Sequence, residues 1–281
     1  MMKALRDIFR FFIYSNLFIA CCAVLMLAQT SYLLQRSAPS ADLLAFVFSA
    51  TISSYSFHWY LTPAIGDSDR INWLARYKKV HLYLFIAGTA AAAMYGVLLI
   101  SHWPWLVFAA FITFLYSAPK IPHPWFRLLR KIAIGKTVFL ALVWMFVTTI
   151  LPLEISDQPW KTDYSLFATQ RFFLIYAICI LFDYRDREYD ISVGIRSLIT
   201  WLDEKSINIL FLVSIGIFTL STVWMFRYGH SVTAILTLLI PGAITALLYS
   251  YAKRNRSDML YYFVLDGLMA LSAVLYAFIR I

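Results

Sequence analysis

Long apolar runs separated by short polar segments dominate this sequence. Crossing a bilayer as an α-helix requires about 20 consecutive apolar residues, and nine runs reach or approach that length. The predicted spans cover residues 11–34, 41–63, 81–101, 103–118, 133–152, 166–182, 207–226, 231–251 and 259–279. The pattern predicts an all-α, polytopic membrane protein with about nine transmembrane helices.

The composition agrees with this pattern and excludes a soluble domain. Hydrophobic residues make up 62% of the 281 residues and charged residues only 14%, with a mean hydropathy of +0.72. No repeat or long hydrophilic insert divides the chain, so we expect one bilayer-embedded domain over residues 1–281. The first apolar run is too long for a signal peptide and is interpreted as a retained helix. Cys21, Cys22 and Cys179 lie within apolar runs and are expected to be packing residues.

Basic residues are distributed unevenly among the connections between the spans. If the N-terminus is cytoplasmic, 19 of the 24 Lys and Arg residues fall at the cytoplasmic ends of the spans, where such residues accumulate. An odd number of spans then places the C-terminus outside. We expect a multi-pass protein with this orientation, in the bacterial inner membrane. The net charge of +9 therefore favours anionic lipid headgroups as partners and does not indicate nucleic-acid binding.

The most unusual polar segment follows the sixth apolar run and reads ILFDYRDREYDISVGIRSL. If the helix continues past Leu181, a rotation of about 100° per residue places Asp183, Asp186 and Asp190 on one face. Arg187 lies beside them. Three such carboxylates repel one another unless a cation neutralises them, which favours Mg²⁺ bridging to substrate phosphates. The alternative is a solvated charge run in which each aspartate pairs with a neighbouring arginine.

The segment DYRDREYDISVGIRSL resembles the second aspartate-rich motif of the UbiA superfamily of intramembrane prenyltransferases. In that motif, D-x-x-D-x-x-x-D is followed by a glycine, a basic residue and Ser or Thr, which Gly194, Arg196 and Ser197 match here. The stretch FLYSAPKIPHPWFRLLRKIAIGKTVFLALVW is similar to the Tyr-Ser/Thr-x-Pro segment, basic stretch and fifth helix of the family. The last span, with YYFVLDGLMAL, resembles its closing Asp-Gly helix. The resemblance covers essentially the whole chain.

The resemblance implies a helical bundle around a central cavity that is open to the cytoplasm. It also implies Mg²⁺ and a prenyl diphosphate at the cavity mouth, and transfer of the isoprenyl group to a lipophilic acceptor, expected to be aromatic. The implied catalytic residues are Asp183, Asp186, Asp190 and Lys136, of which the three aspartates hold the metal. The implied substrate-binding residues are Arg187, Arg196, Tyr116, Lys120, His58, Asp67 and Asp69.

The first aspartate-rich motif of the family is not matched. The family has Asn-Asp-x-x-Asp-x-x-x-Asp at the end of the second span, whereas this region reads SSYSFHWYLTPAIGDSDRINW. Pro63 is expected to end the helix and to leave Asp67 and Asp69 in a loop. These two acids either reach the cavity mouth or are ordinary loop charges beside Arg70. His58 is either a metal ligand or proton acceptor, or a hydrogen-bonded structural histidine.

Several other ionisable residues have competing interpretations. Lys136 either faces the cavity or extends to the interface. Arg187 and Arg196 either bind substrate or form ion pairs with the aspartates. Arg171 is interpreted as an anchor near the outer boundary. Asp266 is expected to face the bundle interior and to bond to another helix.

Two functions follow from these observations. The first is Mg²⁺-dependent transfer of an isoprenyl group from its diphosphate to a lipophilic acceptor. The second is a catalytically degenerate or repurposed protein that binds a prenyl or lipid phosphate without transferring it. The acids missing from the first motif are the reason for keeping the second hypothesis.

Overall fold

The computed structural model describes residues 2–121, 123, 125–126, 136–192 and 197–280, of which the side chains of Met2, Lys136 and Arg280 are not described. All regular structure in these residues is helical, which confirms the predicted all-α class. The predicted residues Gly194 and Arg196 lie outside the described residues, and so do Arg127, Arg130 and Lys131 of the quoted basic stretch.

The described residues form twelve α-helices and several short π or 3₁₀ turns. The helices are α1 (Met2–Tyr14), α2 (Leu17–Thr30), α3 (Ala41–Leu61), α4 (Asp69–Leu98), α5 (Trp103–Ser117), α6 (Lys136–Met145), α7 (Leu151–Ile155), α8 (Thr162–Ser192), α9 (Leu198–Trp201), α10 (Glu204–Trp224), α11 (Val232–Arg254) and α12 (Asp266–Arg280). The π turns are Ser31–Gln35 after α2, Phe146–Ile150 between α6 and α7, and Leu260–Leu265 before α12.

The number of membrane-crossing segments agrees with the prediction. Eight helical segments of the described residues are long and apolar enough to cross a membrane. The helix α3 is not among them because it is rich in serine and threonine. Its 21 residues nevertheless extend about 31 Å at the α-helical rise, which is enough to cross the hydrocarbon layer. With α3 counted, the described chain has nine crossing segments.

The first crossing segment begins at Leu17, not at residue 11 as predicted. The cause is Asn16, which is buried and has a left-handed φ of 71° that separates α1 from α2. The preceding helix, α1, leaves Leu5 and Ile8 69% and 66% exposed. An amphipathic helix with an exposed apolar face is suited to lie in the membrane interface.

Two other crossing helices extend beyond their apolar parts. The helix α4 begins at Asp69 instead of residue 81, because Ser68 caps it by accepting a hydrogen bond from the Ile71 N–H at 3.2 Å. The basic residues 70–79 therefore lie on a helix and not in a loop. The helix α8 continues ten residues past its predicted end, to Ser192, because its last turns are polar and hydropathy marks only the apolar part of a span.

The helices α3 and α4 approach each other very closely. A Cβ atom at Gly88 would lie 2.9 Å from both the Ser49 carbonyl oxygen and the Ser53 amide nitrogen. The Ser53 and Thr89 hydroxyls are 2.7 Å apart across the same contact. Small and hydroxylated residues allow membrane helices to pack backbone against backbone.

The helix α8 lies at the centre of the bundle. Its residues Leu174–Leu181 are all buried, and Ile175, Ala177, Ile178, Ile180 and Leu181 have no exposed surface. The main apolar cluster joins them to α2, α6, α10 and α12. Cys22 and Cys179 are buried in this bundle and all three cysteines are free thiols, as expected. The C-terminal turns of α8 therefore emerge from the middle of one end of the molecule.

The two ends of the bundle carry different connections. The motif end, where α8 finishes, also holds α1 and the connections 62–68 and 255–259. The opposite end holds the connections 36–40, 156–161 and 229–231. The loops that the sequence analysis assigned to the same side of the membrane lie at the same end.

Arg171 is not the interfacial anchor that the sequence analysis described. It is 3% exposed and points into the bundle. Its guanidinium donates to the Met26 and Thr148 carbonyl oxygens at 2.9 and 2.8 Å, and to the Gln29 side-chain oxygen at 2.8 Å. The prediction was wrong because it considered the distance along α8 and not the direction of the side chain.

Candidate functional site

Three aspartates lie on the central helix at the motif end. Because α8 is helical throughout Thr162–Ser192, Asp183, Asp186 and Asp190 share one face. Asp183 and Asp190 are buried, at 7% and 4% exposure, whereas the Asp186 side chain is 44% exposed. Thr137, at the start of α6, donates a hydrogen bond to Asp183. We refer to these three aspartates as the aspartate face.

Arg185 is held next to this face and is largely buried. Its Nε donates to Asp186 Oδ1 at 2.8 Å, and its Nη2 donates to the Tyr262 hydroxyl at 2.9 Å. Its Nη1 lies 3.8 Å from Asp258 Oδ1. The alternative interpretation, a solvated charge run, expects Asp186 to pair with a neighbouring arginine, and it does. The arginine of this pair is only 10% exposed, however, so the pair is not solvated as that interpretation expects.

Arg70 approaches the same place from α4. Its guanidinium carbon lies 3.9 Å from the ring centre of Trp59 and 4.6 Å from that of Tyr262, in cation–π geometry. Its backbone N–H donates to Asp258 at 2.7 Å, and its Nη2 donates to Asn16 at 2.8 Å. Arg70 and Arg185, which we call the arginine pair, therefore share Tyr262 and Asp258.

Acidic groups surround the arginine pair. Asp258 is buried at 8% exposure, and Asp266 is the first residue of α12, directly after the turn that carries Tyr262. The expected bond between Asp266 and another helix stays a prediction. The arginine pair offsets part of the negative charge that gathers at this end.

Tyr14, at the end of α1, is a further aromatic neighbour of Arg70. Its ring centre is 5.3 Å from the guanidinium carbon. Burial, and then the nearby carboxylate of Asp258, raise the pKa of the Tyr14 hydroxyl well above its ordinary value. This hydroxyl therefore stays protonated at neutral pH.

Three predicted substrate-binding residues lie close together at the ends of α3 and α5. The rings of His58 and Tyr116 stack with their centres 5.0 Å apart. The His58 Nδ1 lies 3.5 Å from the Ser117 hydroxyl, and Lys120 Nζ donates to the Thr62 hydroxyl at 2.5 Å. The contacts of His58 agree with the hydrogen-bonded structural interpretation and leave a chemical role open to test.

A small cavity of about 60 Å³ lies deeper in the bundle, between α2, α3, α5 and α6. Tyr116 lines it, and so do Tyr55 and Trp144. Trp144 Nε1 donates to the Tyr55 hydroxyl at 2.9 Å. The cavity therefore has aromatic and aliphatic walls and is connected through Tyr116 to the residues near His58.

The two acids of the unmatched first motif are exposed to solvent at the motif end. Asp69 is the first residue of α4, not a loop residue, and its side chain is 56% exposed and accepts a hydrogen bond from Arg10 at 2.8 Å. Asp67 remains in the connection after α3, which ends at Leu61 before Pro63 as predicted. The buried position near the aspartate face is occupied by Arg70.

The remaining predicted residues are only partly described. The guanidinium of Arg187 donates to the Leu202 carbonyl oxygen at 2.9 Å, so this side chain is directed toward the segment between α9 and α10. Lys136 is the first residue of α6. The roles suggested for its side chain and for Arg196 stay predictions.

Carboxylate oxygens are ligands that Mg²⁺ accepts, so the aspartate face is the position at which the predicted metal would have to bind. Among the described residues, no group of three or more His, Cys, Asp or Glu side chains could hold a metal ion. However, Mg²⁺ is commonly bound by one or two carboxylates together with substrate phosphates. One or two carboxylates of the aspartate face would therefore need substrate phosphates to complete such a site.

Arg185, Tyr262 and Asp258 are not among the predicted site residues, and Arg70 is predicted only as a loop neighbour of Asp69. Arg185 lies inside the acid segment, and the other two lie in the last connection and span. The signal in the sequence is that Asp258 immediately precedes the span that resembles the closing helix of the family. Nothing in the sequence pattern shows that two arginines converge on one tyrosine.

Comparisons with known proteins address the fold. No protein-family model matches the sequence, and no curated protein matches it either. A solved structure does match: the apo structure of a UbiA homolog from Aeropyrum pernix K1, with a TM-score of 0.66 over 96% of this chain and 98% of that chain. The chain has the UbiA fold. At 13% identity, the likeness extends to the UbiA fold and leaves the activity to be tested.

Proposed function

We propose that this protein transfers an isoprenyl group from a prenyl diphosphate to a lipophilic acceptor at the motif end of the bundle. The observation that carries the proposal is the position of the aspartate face. In a chain with the UbiA fold, it lies on the central helix where that helix emerges from the bundle. A diphosphate bound there has its charged part at the bundle end and its tail toward apolar side chains.

The residues at the motif end include acids that can bind a metal ion and bases that can bind the diphosphate. One or two of the carboxylates of Asp183, Asp186 and Asp190, together with diphosphate oxygens, would hold Mg²⁺, which neutralises the negative charge of a leaving diphosphate. Arg70 on α4, Arg185 on α8 and Lys120 after α5 supply further positive charge. Arg185 already contacts Asp186, so it is placed to donate to an oxygen of the diphosphate as well.

The walls beside Tyr116 suit the organic part of the reaction. The allylic C–O bond breaks, the diphosphate leaves with the electron pair, and the allylic cation forms a bond to the acceptor, which then loses a proton. Aromatic rings such as those of Tyr116, Tyr55 and Trp144 stabilise a nearby cation. His58, stacked on Tyr116, is the candidate to accept the proton.

A second function, binding of a prenyl or lipid phosphate without transfer, is supported by the residues at the start of α4. The acids of the family's first motif are not matched in this chain: the exposed Asp69 pairs with Arg10, and the buried side chain at the start of α4 is the cation of Arg70. An arrangement with fewer carboxylates suits binding of a prenyl or lipid phosphate without its transfer.

The experiment is an assay of diphosphate release in membranes that contain the protein, with Mg²⁺ and labelled prenyl diphosphates of several lengths. We expect release by the wild type and its loss in Asp186→Asn and Asp190→Asn. The matched control is Glu188→Gln on the same helix, whose side chain is 76% exposed and pairs with Arg256. Glu188→Gln is expected to retain the wild-type rate.

The outcomes separate the two functions. Mg²⁺-dependent binding of the labelled prenyl diphosphate without release would favour the second function. Equal release by the wild type and both aspartate variants would contradict a role of the aspartate face. The absence of both binding and release for every chain length would contradict both functions.

A further inference from the structure

A second cavity lies at the opposite end of the bundle, away from the aspartate face. Its volume is about 620 Å³. It lies between the end of α2, the start of α8 and the turn between α10 and α11. We call it the opposite-end pocket, and its lining residues include Arg36, Trp160, Lys161, Asp163, Tyr228 and His230.

The charges in this pocket favour an anion. Arg36 and Lys161 both line it, and no described acidic side chain forms an ion pair with either of them. The carboxylate of Asp163 is engaged by His230, whose Nε2 lies 3.2 Å from Asp163 Oδ2. The side chains of His230 and Asp163 are only 10% and 14% exposed. The one acid among the described lining residues is therefore already paired. Neither Arg36 nor Lys161, whose Nζ lies 5.5 Å from the ring centre of Tyr164, has an acidic partner among the described residues.

The local backbone adds to this preference. The pocket includes Thr162 and Asp163, which form the first turn of the 31-residue helix α8. The first N–H groups of a helix have no partner within the helix and favour negative charge. Arg36 has a left-handed φ of 56° where the π turn after α2 ends, which brings its side chain to the rim of the same pocket.

The surroundings place the pocket at the level of lipid headgroups. Its floor contains the buried side chains of Leu33 and Leu34. At its rim, Trp160 and Tyr228 are 47% and 45% exposed, and the nearby Trp224 is 59% exposed. Exposed Trp and Tyr at the ends of membrane helices are typical of the membrane interface.

We propose that the opposite-end pocket binds the phosphate group of an anionic phospholipid. Arg36 and Lys161 donate hydrogen bonds to the phosphate oxygens, and the pair of Asp163 and His230 fixes the far edge of the pocket. The apolar floor and the aromatic rim receive the start of the acyl chains. This binding is separate from the proposed transfer reaction at the motif end.

The test is native mass spectrometry of the full chain, released from a neutral detergent, with added phosphatidylglycerol or phosphatidylcholine. We expect the Kd of the first bound phosphatidylglycerol to be about thirtyfold higher for Arg36→Gln/Lys161→Gln than for the wild type. The reason is that each basic side chain near a membrane surface contributes about 1 kcal/mol to binding an anionic lipid. The matched control is Arg227→Gln, because Arg227 is an exposed arginine at the same end that does not line the pocket. The control is expected to bind like the wild type.

Three results would overturn the proposal. The double variant could bind phosphatidylglycerol as tightly as the wild type, or phosphatidylcholine could bind the wild type equally well. Inorganic phosphate at millimolar concentration could displace phosphatidylglycerol, which would identify a site for free phosphate. As a control for folding, the double variant should have the same midpoint of thermal unfolding in detergent as the wild type. Diphosphate release is not part of this measurement, so its outcome is independent of the proposed function.

Discussion

Arg171 illustrates how single residues hold this bundle together. Its guanidinium has no acidic partner among the described residues, although it is 3% exposed. Instead it donates five hydrogen bonds to carbonyl, hydroxyl and amide oxygens of α2 and of the π turn Phe146–Ile150. The Ser272 hydroxyl lies 3.2 Å from the Gln29 side-chain oxygen and connects α12 to the same group. One cation therefore joins α8 to α2 and the π turn, and Gln29 links this group to α12.

Removing this cation should destabilise the fold. We expect Arg171→Ala to lower the free energy of unfolding by about 3 kcal/mol, because buried oxygens lose a charged donor. Arg171→Lys should recover only part of the loss, because an ammonium cannot reproduce the planar arrangement of donors. Thermal unfolding in detergent measures both, with the exposed Arg227→Ala as control. An unchanged midpoint for Arg171→Ala would show that the hydrogen bonds contribute little.

Tyr262 is the residue that the arginine pair shares, and its hydroxyl can be removed without removing its ring. We expect Tyr262→Phe to reduce diphosphate release about tenfold, the scale of one hydrogen bond to a charged group, because Arg185 loses a fixed partner. The control is Tyr261→Phe in the same turn, since its hydroxyl donates to the Ala252 carbonyl oxygen at 2.8 Å. Equal rates for the two variants would contradict a positioning role of Tyr262.

At the scale of elements, the sequence predicts where helices cross the membrane better than where they begin. Nine spans follow from apolar length alone. The start of α4 at Asp69 depends on the Ser68 cap, and the division between α1 and α2 depends on a left-handed Asn16. Hydropathy contains neither kind of information.

The same distinction applies to the candidate site. The shared face of Asp183, Asp186 and Asp190 follows from helical spacing on α8, so it could be predicted. The arginine pair could not be predicted, because Arg70, Arg185 and Tyr262 come from three different helical segments. Their contacts depend on how those segments pack, which periodicity does not determine.

The contact between α3 and α4 provides a prediction for a pair of helices. We expect Gly88→Ala to destabilise the protein by about 1–3 kcal/mol, because the added Cβ meets backbone atoms that cannot rotate away. Gly96→Ala is the control on the same helix, since a Cβ there would lie 3.5 Å from the Phe46 ring, an ordinary contact. Unfolding midpoints in detergent compare the two. A variant at Gly88 as stable as the one at Gly96 would mean that the helices can separate without cost.

On the scale of the whole molecule, the two ends differ in charge and in the groups they offer. The motif end carries most of the Lys and Arg residues as well as the aspartate face. The opposite end carries few basic residues, and two of them line the opposite-end pocket. The excess of basic residues at the motif end favours an orientation with that end in the cytoplasm.

This orientation can be measured by labelling introduced cysteines. Asp67 and Ser37 are exposed residues in connections at the motif end and the opposite end, respectively. Cys22 and Cys179 are buried within crossing helices, and Cys21 also lies inside α2, so the native thiols are remote from both aqueous sides. In intact bacterial cells, a membrane-impermeant maleimide should label Ser37→Cys. Asp67→Cys should react only after permeabilisation.

The orientation matters because both proposed sites depend on what each side of the membrane supplies. With the motif end in the cytoplasm, the aspartate face is open to soluble prenyl diphosphates, and the opposite-end pocket faces the headgroups of the outer leaflet. Labelling of Asp67→Cys in intact cells, with Ser37→Cys protected, would show that the excess of basic residues does not determine the topology of this chain. It would also place the aspartate face on the side without cytoplasmic substrate, which would contradict the proposed transfer reaction.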